Sequence, residues 1–161
     1  MVKVAVIVDT PNIGKSIENI HSGTARPDYR ALRRLANQYG SLTRACALVN
    51  DGVSRYFVTK LTRQGFEVKF SHAFDCDDAV IAWAVRLRQE ADCLILCSGD
   101  KHYIPLALLL IATGMKIVIC AVDNTCNRTL RQTADAYEEM PTKGVELTNR
   151  VSVPKNVQRM V

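Results

Sequence analysis

The residues best suited to chemistry are aspartates in three short motifs, namely Asp9-Thr10-Pro11-Asn12, Asp77-Asp78 and Ser98-Gly99-Asp100. The first and third motifs each follow an apolar run that is typical of a buried strand. The carboxyl ends of parallel strands are where α/β proteins place their ligands. Several carboxylates at one such edge would repel one another unless a divalent cation joined them. The pattern therefore predicts an acidic Mg²⁺ or Mn²⁺ site that supports phosphate chemistry.

The elements that must position these motifs alternate between short apolar runs and amphipathic stretches. In one such stretch, Val80, Trp83, Ala84 and Leu87 recur at helical spacing and form one buried face. Strand–helix alternation predicts a mainly parallel sheet with helices on both faces. Strands are predicted at residues 3–8, 43–49, 67–71, 93–97 and 116–122. Helices are predicted at residues 28–39, 53–64, 78–89, 103–113 and 127–139.

The expected architecture is a three-layer α/β/α sandwich with a doubly wound, Rossmann-like sheet. In the common strand order, the strands at 3–8 and 93–97 are neighbours whose connections leave toward opposite faces. A crevice then opens at their carboxyl ends, with Asp9 and Asp100 on its two sides. The pair at positions 77 and 78 would reach the same edge if the loop before it folds over the crevice.

Each acidic motif also has a purely structural explanation. Asp77 is a natural N-cap, and Asp78 in the first turn would complement the helix dipole. Asp9 and Asp100 are each compatible with a tight turn. Asn12 would either orient a scissile phosphate or a water, or cap the next short helix. The joint position of the acids at strand ends favours a site over these alternatives.

Basic residues near the acids are candidates for holding a polyanion. Asp9 excludes a phosphate loop at Gly14-Lys15-Ser16, because that motif requires glycine at position 9. His102, close after Asp100, also suits general acid or base catalysis. The alternative is a histidine at the start of a helix with no partner. Arg128 and Arg131 lie one turn apart on the last predicted helix. The alternative to phosphate binding is that they form a solvated helix face. The candidates are Lys15, Lys101, His102, Arg128 and Arg131.

Composition limits the classes of protein to which the chain can belong. Its 161 residues suffice for one domain with a substantial core. The net charge of +5 is compatible with a polyanionic partner. No apolar run reaches membrane-spanning length and no signal peptide is recognisable, which predicts a cytoplasmic protein without a membrane partner. The six cysteines include no C-x2-C pair, so we expect buried, reduced thiols, with Cys76 and Cys126 in loops.

The two ends of the chain are expected to differ in order. Residues 1–147 are predicted to form the domain, with residues 145–147 as a short edge strand. Residues 148–161 carry Arg150, Lys155 and Arg159 and predict a flexible basic tail. Residues 19–27 are rich in small and turn-forming residues and predict a mobile flap.

On these motifs the chain resembles the NYN family, the PIN-like ribonuclease domains that include the LabA-like proteins. The resemblance covers residues 3–147 and joins the three acidic motifs, in order, to the helix, Gly114 and strand that follow them. It implies a PIN-like α/β/α sandwich in which acidic residues and Mg²⁺ or Mn²⁺ hydrolyse RNA phosphodiester bonds. The resemblance implies that Asp9 and Asp100 are primary metal-site acids. It further implies that Asp78, with Asp77 beside it, completes the acidic group and that Asn12 matches a family asparagine.

The resulting hypothesis is a metal-dependent endoribonuclease acting on single-stranded or structured RNA. Its catalytic residues would be Asp9, Asn12, Asp77, Asp78 and Asp100, with the metal held by Asp9, Asp78 and Asp100. His102 and Ile104 stand where many family members carry another acid, which argues against a firm two-metal assignment. The alternative is a catalytically weak or inactive NYN-fold module that binds RNA or regulates, with a homodimer as one possible form.

A receiver-like phosphorylation domain is a third hypothesis, because Asp9 follows the first strand of a doubly wound sheet. That class places its phospho-acceptor after the third strand and a lysine after the fifth. Ser71-His72 and Asp123-Asn124 fill those neighbourhoods here, so the hypothesis is disfavoured.

Overall fold

A six-stranded parallel sheet forms the centre of the protein. We describe a computed structural model over residues 1–72, 75–122 and 124–144. Neighbouring strands lie in the order β4-β3-β1-β5-β6-β7, and every pairing is parallel. The sheet strands are β1 (Lys3–Asp9), β3 (Ser41–Asn50), β4 (Glu67–Ser71), β5 (Cys93–Cys97), β6 (Lys116–Ala121) and β7 (Ala136–Glu139).

Helices cover both faces of this sheet. The helices are α1 (Thr10–His21), α2 (Tyr29–Asn37), α3 (Arg55–Arg63), α4 (Asp77–Leu87), α5 (Ile104–Ala112) and α6 (Arg128–Thr133). A 3₁₀ turn (Lys101–Tyr103) precedes α5, and β2 (Ala25–Pro27) pairs antiparallel with β8 (Thr142–Gly144). The predicted three-layer α/β/α class and doubly wound sheet are therefore confirmed.

Alternation along the strands creates two separate cores. In β1, Val4, Val6 and Val8 pack on the side covered by α1, α2 and α3. Ala5 and Ile7 pack on the other side, under α4, α5 and α6. Strands buried on both faces must be apolar at every position, which explains the continuous runs in the sequence.

The chain reverses its direction of winding between β1 and β5, the two central strands. They pair in register from Val4 opposite Cys93 to Val8 opposite Cys97, as the common doubly wound order requires. The helix after β1 lies on one face and the helix after β5 lies on the other. A crevice is therefore built into the carboxyl edge of the sheet between these two strands.

The helix predicted over residues 127–139 is wrong in its second half. Helix α6 ends at Thr133, and β7 extends the sheet beside β6. Ala136 packs into one core and Tyr137 into the other, a two-sided burial that successive residues achieve in a strand.

The segment predicted as a flap at residues 19–27 is also more structured than expected. Its first residues complete α1, and its last three form β2, which pairs with β8. The predicted edge strand at 145–147 and basic tail at 148–161 lie outside the described residues. Among the described helices, none is long and apolar enough to cross a membrane.

Candidate active site

Asp9 is the last residue of β1 and sits at the base of the crevice. Its carboxylate is only 3% exposed, and its Oδ1 caps α1 by accepting the Asn12 N–H at 3.3 Å. The neighbouring Thr10 hydroxyl donates to the Leu48 carbonyl at 2.7 Å and so ties the end of β1 to β3. The orientation of the Asp9 carboxylate is therefore set by the strand end and the helix that follows.

Tyr103 joins Asp9 to a second carboxylate. Its hydroxyl lies 2.7 Å from Asp9 Oδ2 and 3.2 Å from Asp77 Oδ1, and the tyrosine side chain is fully buried. The hydroxyl carries one proton and can donate it to only one of these oxygens at a time. Tyr103 therefore holds the two carboxylates at a set separation, a role that its aromatic character gave no reason to predict.

Asp100 reaches the same place from the end of β5. Its backbone N–H donates to the buried Ser98 Oγ at 3.2 Å, which closes the turn. A Cβ on Gly99 would lie 2.8 Å from the Cys126 Cα and 3.0 Å from the Thr125 carbonyl oxygen. Glycine is therefore required there, because the turn packs directly against the backbone of the loop before α6.

Of the two adjacent aspartates that open α4, the structure brings only Asp77 to the other acids. The Asp77 carboxylate is half-buried and contacts Tyr103, as described above. Asp78 is exposed, and no hydrogen bond or ion pair of its side chain is formed within the described residues. Successive helical residues point about 100° apart, so only one of the pair can face the crevice. The predicted metal ligands Asp9, Asp78 and Asp100 thus include the exposed neighbour of the aspartate that faces the other acids, and their role at a metal stays a prediction.

His102 completes the cluster from within the 3₁₀ turn. Its Nδ1 lies 2.8 Å from Asp100 Oδ1 and 3.6 Å from Asp77 Oδ2. One ligand atom from each of Asp77, Asp100 and His102 lies within 4.8 Å of the other two. This spacing and donor set fit a single divalent cation. Asp9 does not belong to this trio, although the Tyr103 hydroxyl contacts both its carboxylate and that of Asp77.

Two of the acids, Asp9 and Asp77, are ionised with difficulty because of where they lie. Burial, with Asp77 and Asp100 nearby, raises the pKa of Asp9 from 3.8 to about 6, although the Tyr103 hydroxyl and the Asn12 N–H oppose the shift. Burial and the charges of Asp75 and Asp100 also raise the pKa of Asp77. Within the described residues, no lysine or arginine forms an ion pair with any of these three carboxylates.

Both the family and the fold of this chain are found among known proteins. The model of the NYN domain family matches residues 3–141, which is nearly the whole described chain. The chain belongs to the NYN domain family. The resemblance predicted from the acidic motifs is therefore confirmed.

A solved structure matches this NYN fold closely. The crystal structure of a protein of unknown function from Vibrio parahaemolyticus superposes with a TM-score of 0.80 and 22% sequence identity. The alignment covers 87% of this chain and 93% of that chain. At this identity the likeness supports the fold alone. No curated protein matches the chain significantly.

Asn12 has a clear structural contact in the NYN domain. Its side-chain Oδ1 accepts the Gly99 N–H at 3.2 Å, and so connects the turn after β5 to the start of α1. Its backbone N–H simultaneously donates to Asp9 Oδ1, the N-cap of α1. Asn12 therefore holds the two acid-bearing strand ends together, and any contact of its amide with substrate is additional to this role.

The predicted basic residues lie on α1, on the 3₁₀ turn and on α6. Lys15 lies in α1 and Lys101 in the 3₁₀ turn, both exposed. Helix α6 begins beside the Asp100 turn, because the Asn127 N–H donates to the Gly99 carbonyl at 2.9 Å. Along that helix, Arg128 and Arg131 border an open groove together with Tyr137. The Arg131 guanidinium stacks over the Tyr137 ring, with its carbon 3.9 Å from the ring centroid.

Cys76 lies directly before α4, beside the acids. It is buried and donates its thiol to Asn50 Oδ1 at 3.2 Å. Burial, together with the charges of Asp9, Asp75 and Asp77, raises its pKa to about 12. The thiolate is therefore strongly disfavoured, and Cys76 is not suited to act as a nucleophile.

Sequence reasoning missed Tyr103 and Asp75. Tyr103 stands between the Asp100 turn and an apolar helix, a pattern that is typical of a core aromatic residue. Asp75 accepts the Asp77 N–H at 3.1 Å and adds a fourth negative charge near the crevice. The only available signal for Asp75 was its position two residues before the aspartate pair.

Proposed function

We propose that this NYN domain is a metal-dependent ribonuclease that hydrolyses RNA phosphodiester bonds at the crevice between β1 and β5. The observation that carries the proposal is the convergence of Asp9, Asp77 and Asp100 without a lysine or arginine partner among the described residues. Partly buried carboxylates that meet no lysine or arginine at the ligand edge of the sheet favour the binding of a cation.

The donor set fits the divalent cation that such chemistry needs. Asp77, Asp100 and His102 would hold the ion, with Asp9 adding charge from behind Tyr103. When bound, the cation would lower the pKa of a water molecule and offset the negative charge of the scissile phosphate. Mg²⁺ and Mn²⁺ are the candidates for this ion.

The chain's own side chains would position the two partners of the reaction. Asn12 and Ser98 keep the Asp9 and Asp100 carboxylates in place through the strand ends. Lys15 and Lys101 would contact phosphates on one side of the crevice. On the α6 side, Arg128 and Arg131 would hold the RNA backbone, and the groove beside Tyr137 would continue that path.

The test is cleavage of end-labelled RNA, single-stranded and hairpin, in Mg²⁺, Mn²⁺ or EDTA. We expect products only with metal, and their loss in Asp100→Asn. Asp51→Asn is the matched control, because Asp51 is an exposed aspartate that contacts His72 rather than the crevice. Cleavage that persists in Asp100→Asn or in EDTA would overturn the proposal. Circular dichroism of both variants would show that the fold is retained.

His102 favours a second candidate, an RNA-binding module with little or no catalytic activity. A protonated imidazole 2.8 Å from Asp100 would offset the charge of the cluster without any metal. Such a module would retard RNA in a gel with a steep dependence on salt but would not cleave it. Metal-independent binding that is equal in the wild type and Asp100→Asn would support this candidate.

A further inference from the structure

The most informative departure from an all-carboxylate site is the imidazole of His102. Its Nδ1 lies closer to Asp100 Oδ1, at 2.8 Å, than to Asp77 Oδ2, at 3.6 Å. The side chain of His102 is 64% exposed, whereas those of Asp77 and Asp100 are 23% and 27% exposed. The imidazole therefore lies on the solvent side of the trio, and the two carboxylates lie deeper in the protein.

The backbone keeps this imidazole beside the carboxylates. His102 donates its N–H to Asp100 Oδ1 at 2.9 Å, and the next residue, Tyr103, is buried and bonded to Asp9. The backbone of His102 and the side chain of the next residue are thus both attached to the acidic cluster within a single 3₁₀ turn. Only the rotation of the ring remains free, so a ring nitrogen reaches the cluster without any rearrangement of the chain.

The chemistry of the donor atoms decides which cations this trio favours. Mg²⁺ prefers oxygen ligands and gives up its waters reluctantly. Imidazole nitrogen is a borderline ligand that suits first-row transition metals, whose affinities for nitrogen and oxygen sites rise along the series from Mn²⁺ to Cu²⁺. Two carboxylates and one imidazole therefore form a mixed set that gains more from a transition-metal dication than from Mg²⁺.

We propose that His102 is a metal ligand that makes this site select a first-row transition-metal dication over Mg²⁺. The inference rests on the proposed function only in placing a cation at the same carboxylates. On binding, the imidazole ring releases any proton from the coordinating nitrogen to solvent, and the freed lone pair bonds to the metal. Mg²⁺ would be left with the two carboxylates and its waters.

The first test measures nitrogen coordination directly. Mn²⁺ is added to the full chain, and pulsed electron paramagnetic resonance records the coupling of the ion to ¹⁴N. We expect an imidazole coupling in the wild type and in His72→Gln, and its loss in His102→Gln. His72 is the matched control because it is an exposed histidine paired with an aspartate, 3.0 Å from Asp51, outside this cluster. An unchanged coupling in His102→Gln, or no coupling in the wild type, would overturn the proposal.

The second test measures selectivity as a ratio of affinities. Calorimetric titration with Mn²⁺ and with Mg²⁺ is compared between the wild type and His102→Asp, which converts the trio to oxygen donors only. The added charge should strengthen binding of both ions, whereas the Mn²⁺ to Mg²⁺ affinity ratio should fall by about tenfold or more. A ratio that is unchanged in His102→Asp would contradict the proposed role of the imidazole.

These results can be separated from those of the cleavage assay. Nitrogen coordination and selectivity without RNA cleavage would support the His102 ligand and reject the nuclease. Cleavage that is equally fast in Mg²⁺ and Mn²⁺, with no nitrogen coupling, would support the nuclease and reject the ligand. Circular dichroism of each His102 variant excludes misfolding as the cause of a lost signal.

Discussion

Two groups of acidic side chains lie around this sheet, and they differ in how their negative charges are balanced. Glu67 and Glu90 both contact Arg44, and Lys69 lies 3.6 Å from Glu67. Hydrogen bonding to Arg44 lowers the pKa of Glu67. The acids at the carboxyl edge meet a tyrosine and a histidine instead, and the pKa of Asp9 rises to about 6.

The difference separates acids whose charges are balanced within the chain from acids that, under the proposed function, would bind a cation. Glu67 and Glu90 are neutralised within the chain, so their charges need no external partner. The carboxylates of the crevice meet no lysine or arginine among the described residues, so their repulsion and desolvation oppose folding, and the cation of the proposed function would relieve both. Perturbed, unpaired acids in a crevice are typical of functional sites.

The largest change in RNA cleavage rate is expected when Asp77 is substituted, but not when its neighbour Asp78 is. Asp77→Asn removes a candidate metal ligand, so RNA cleavage in Mn²⁺ should fall at least about 100-fold. Asp78→Asn changes an exposed carboxylate and should alter the rate less than about threefold. Initial rates of product formation from labelled RNA decide this. Equal losses in both variants would mean that α4 presents both acids to the metal.

A second prediction concerns the cost of ionising Asp9. Its folded pKa of about 6 exceeds the unfolded value of 3.8, so the native state binds protons more tightly than the unfolded state. Stability without metal should therefore fall as the pH rises from about 4 to about 6 and stay low above that window. Asp9→Asn should stabilise the metal-free protein at pH 7.5 by roughly 2–3 kcal/mol.

Urea unfolding at pH 7.5 and pH 4 in EDTA tests this gain. The asparagine amide can donate to the Tyr103 oxygen while its carbonyl still accepts the Asn12 N–H, so both contacts are retained. The gain should shrink toward zero as the pH falls to 4, where Asp9 is protonated in the native state and partly protonated in the unfolded state. A variant that is less stable than the wild type at pH 7.5 would contradict the unpaired character of the site.

A smaller loss is expected when the shared hydroxyl is removed. Tyr103→Phe leaves the buried Asp9 carboxylate without its strongest donor, so unfolding free energy at pH 7.5 should fall by about 1–3 kcal/mol. The loss should be smaller at pH 4, where Asp9 is neutral. Tyr137→Phe is the control, because its hydroxyl donates to the Ala121 carbonyl at 3.3 Å and its effect should not change between these pH values. Equal pH dependence in both variants would reject the role of Tyr103.

The smallest effect should come from the neutralised acids. Glu67→Gln should reduce stability by about 0.5–1 kcal/mol at pH 7 and low salt, because Glu67 is partly exposed. The folded pKa of Glu67 is below its ordinary 4.5, so its contribution is present above that pH and is lost as the pH falls. The loss should also diminish in 1 M salt. A pH dependence of the same sign as that of Asp9→Asn would remove the distinction between the two groups.

The strands and the switch in winding were predictable because their signals are local. Strand β5 matches the predicted residues 93–97, since a strand buried on both faces must be a continuous apolar run. Strand β4 also matches the predicted residues 67–71, although it is a partly exposed edge strand. The neighbouring positions of β1 and β5 followed from the alternation of strands and helices. Strand β7 was not predicted, because Ala136 and Tyr137 pack against two different cores and the local sequence does not record that packing.

What the sequence alone determined is the fold class, the family and the presence of acids at two strand ends. These depend on residue type and on spacing along the chain. Only the tertiary structure decided that Asp77 rather than Asp78 turns toward those acids, that Tyr103 bridges two of them and that His102 completes the trio. The reason is that these contacts depend on how α4 and the 3₁₀ turn dock on the sheet. A rotation of α4 about its axis by the angle between two successive residues would bring a different side chain to the crevice.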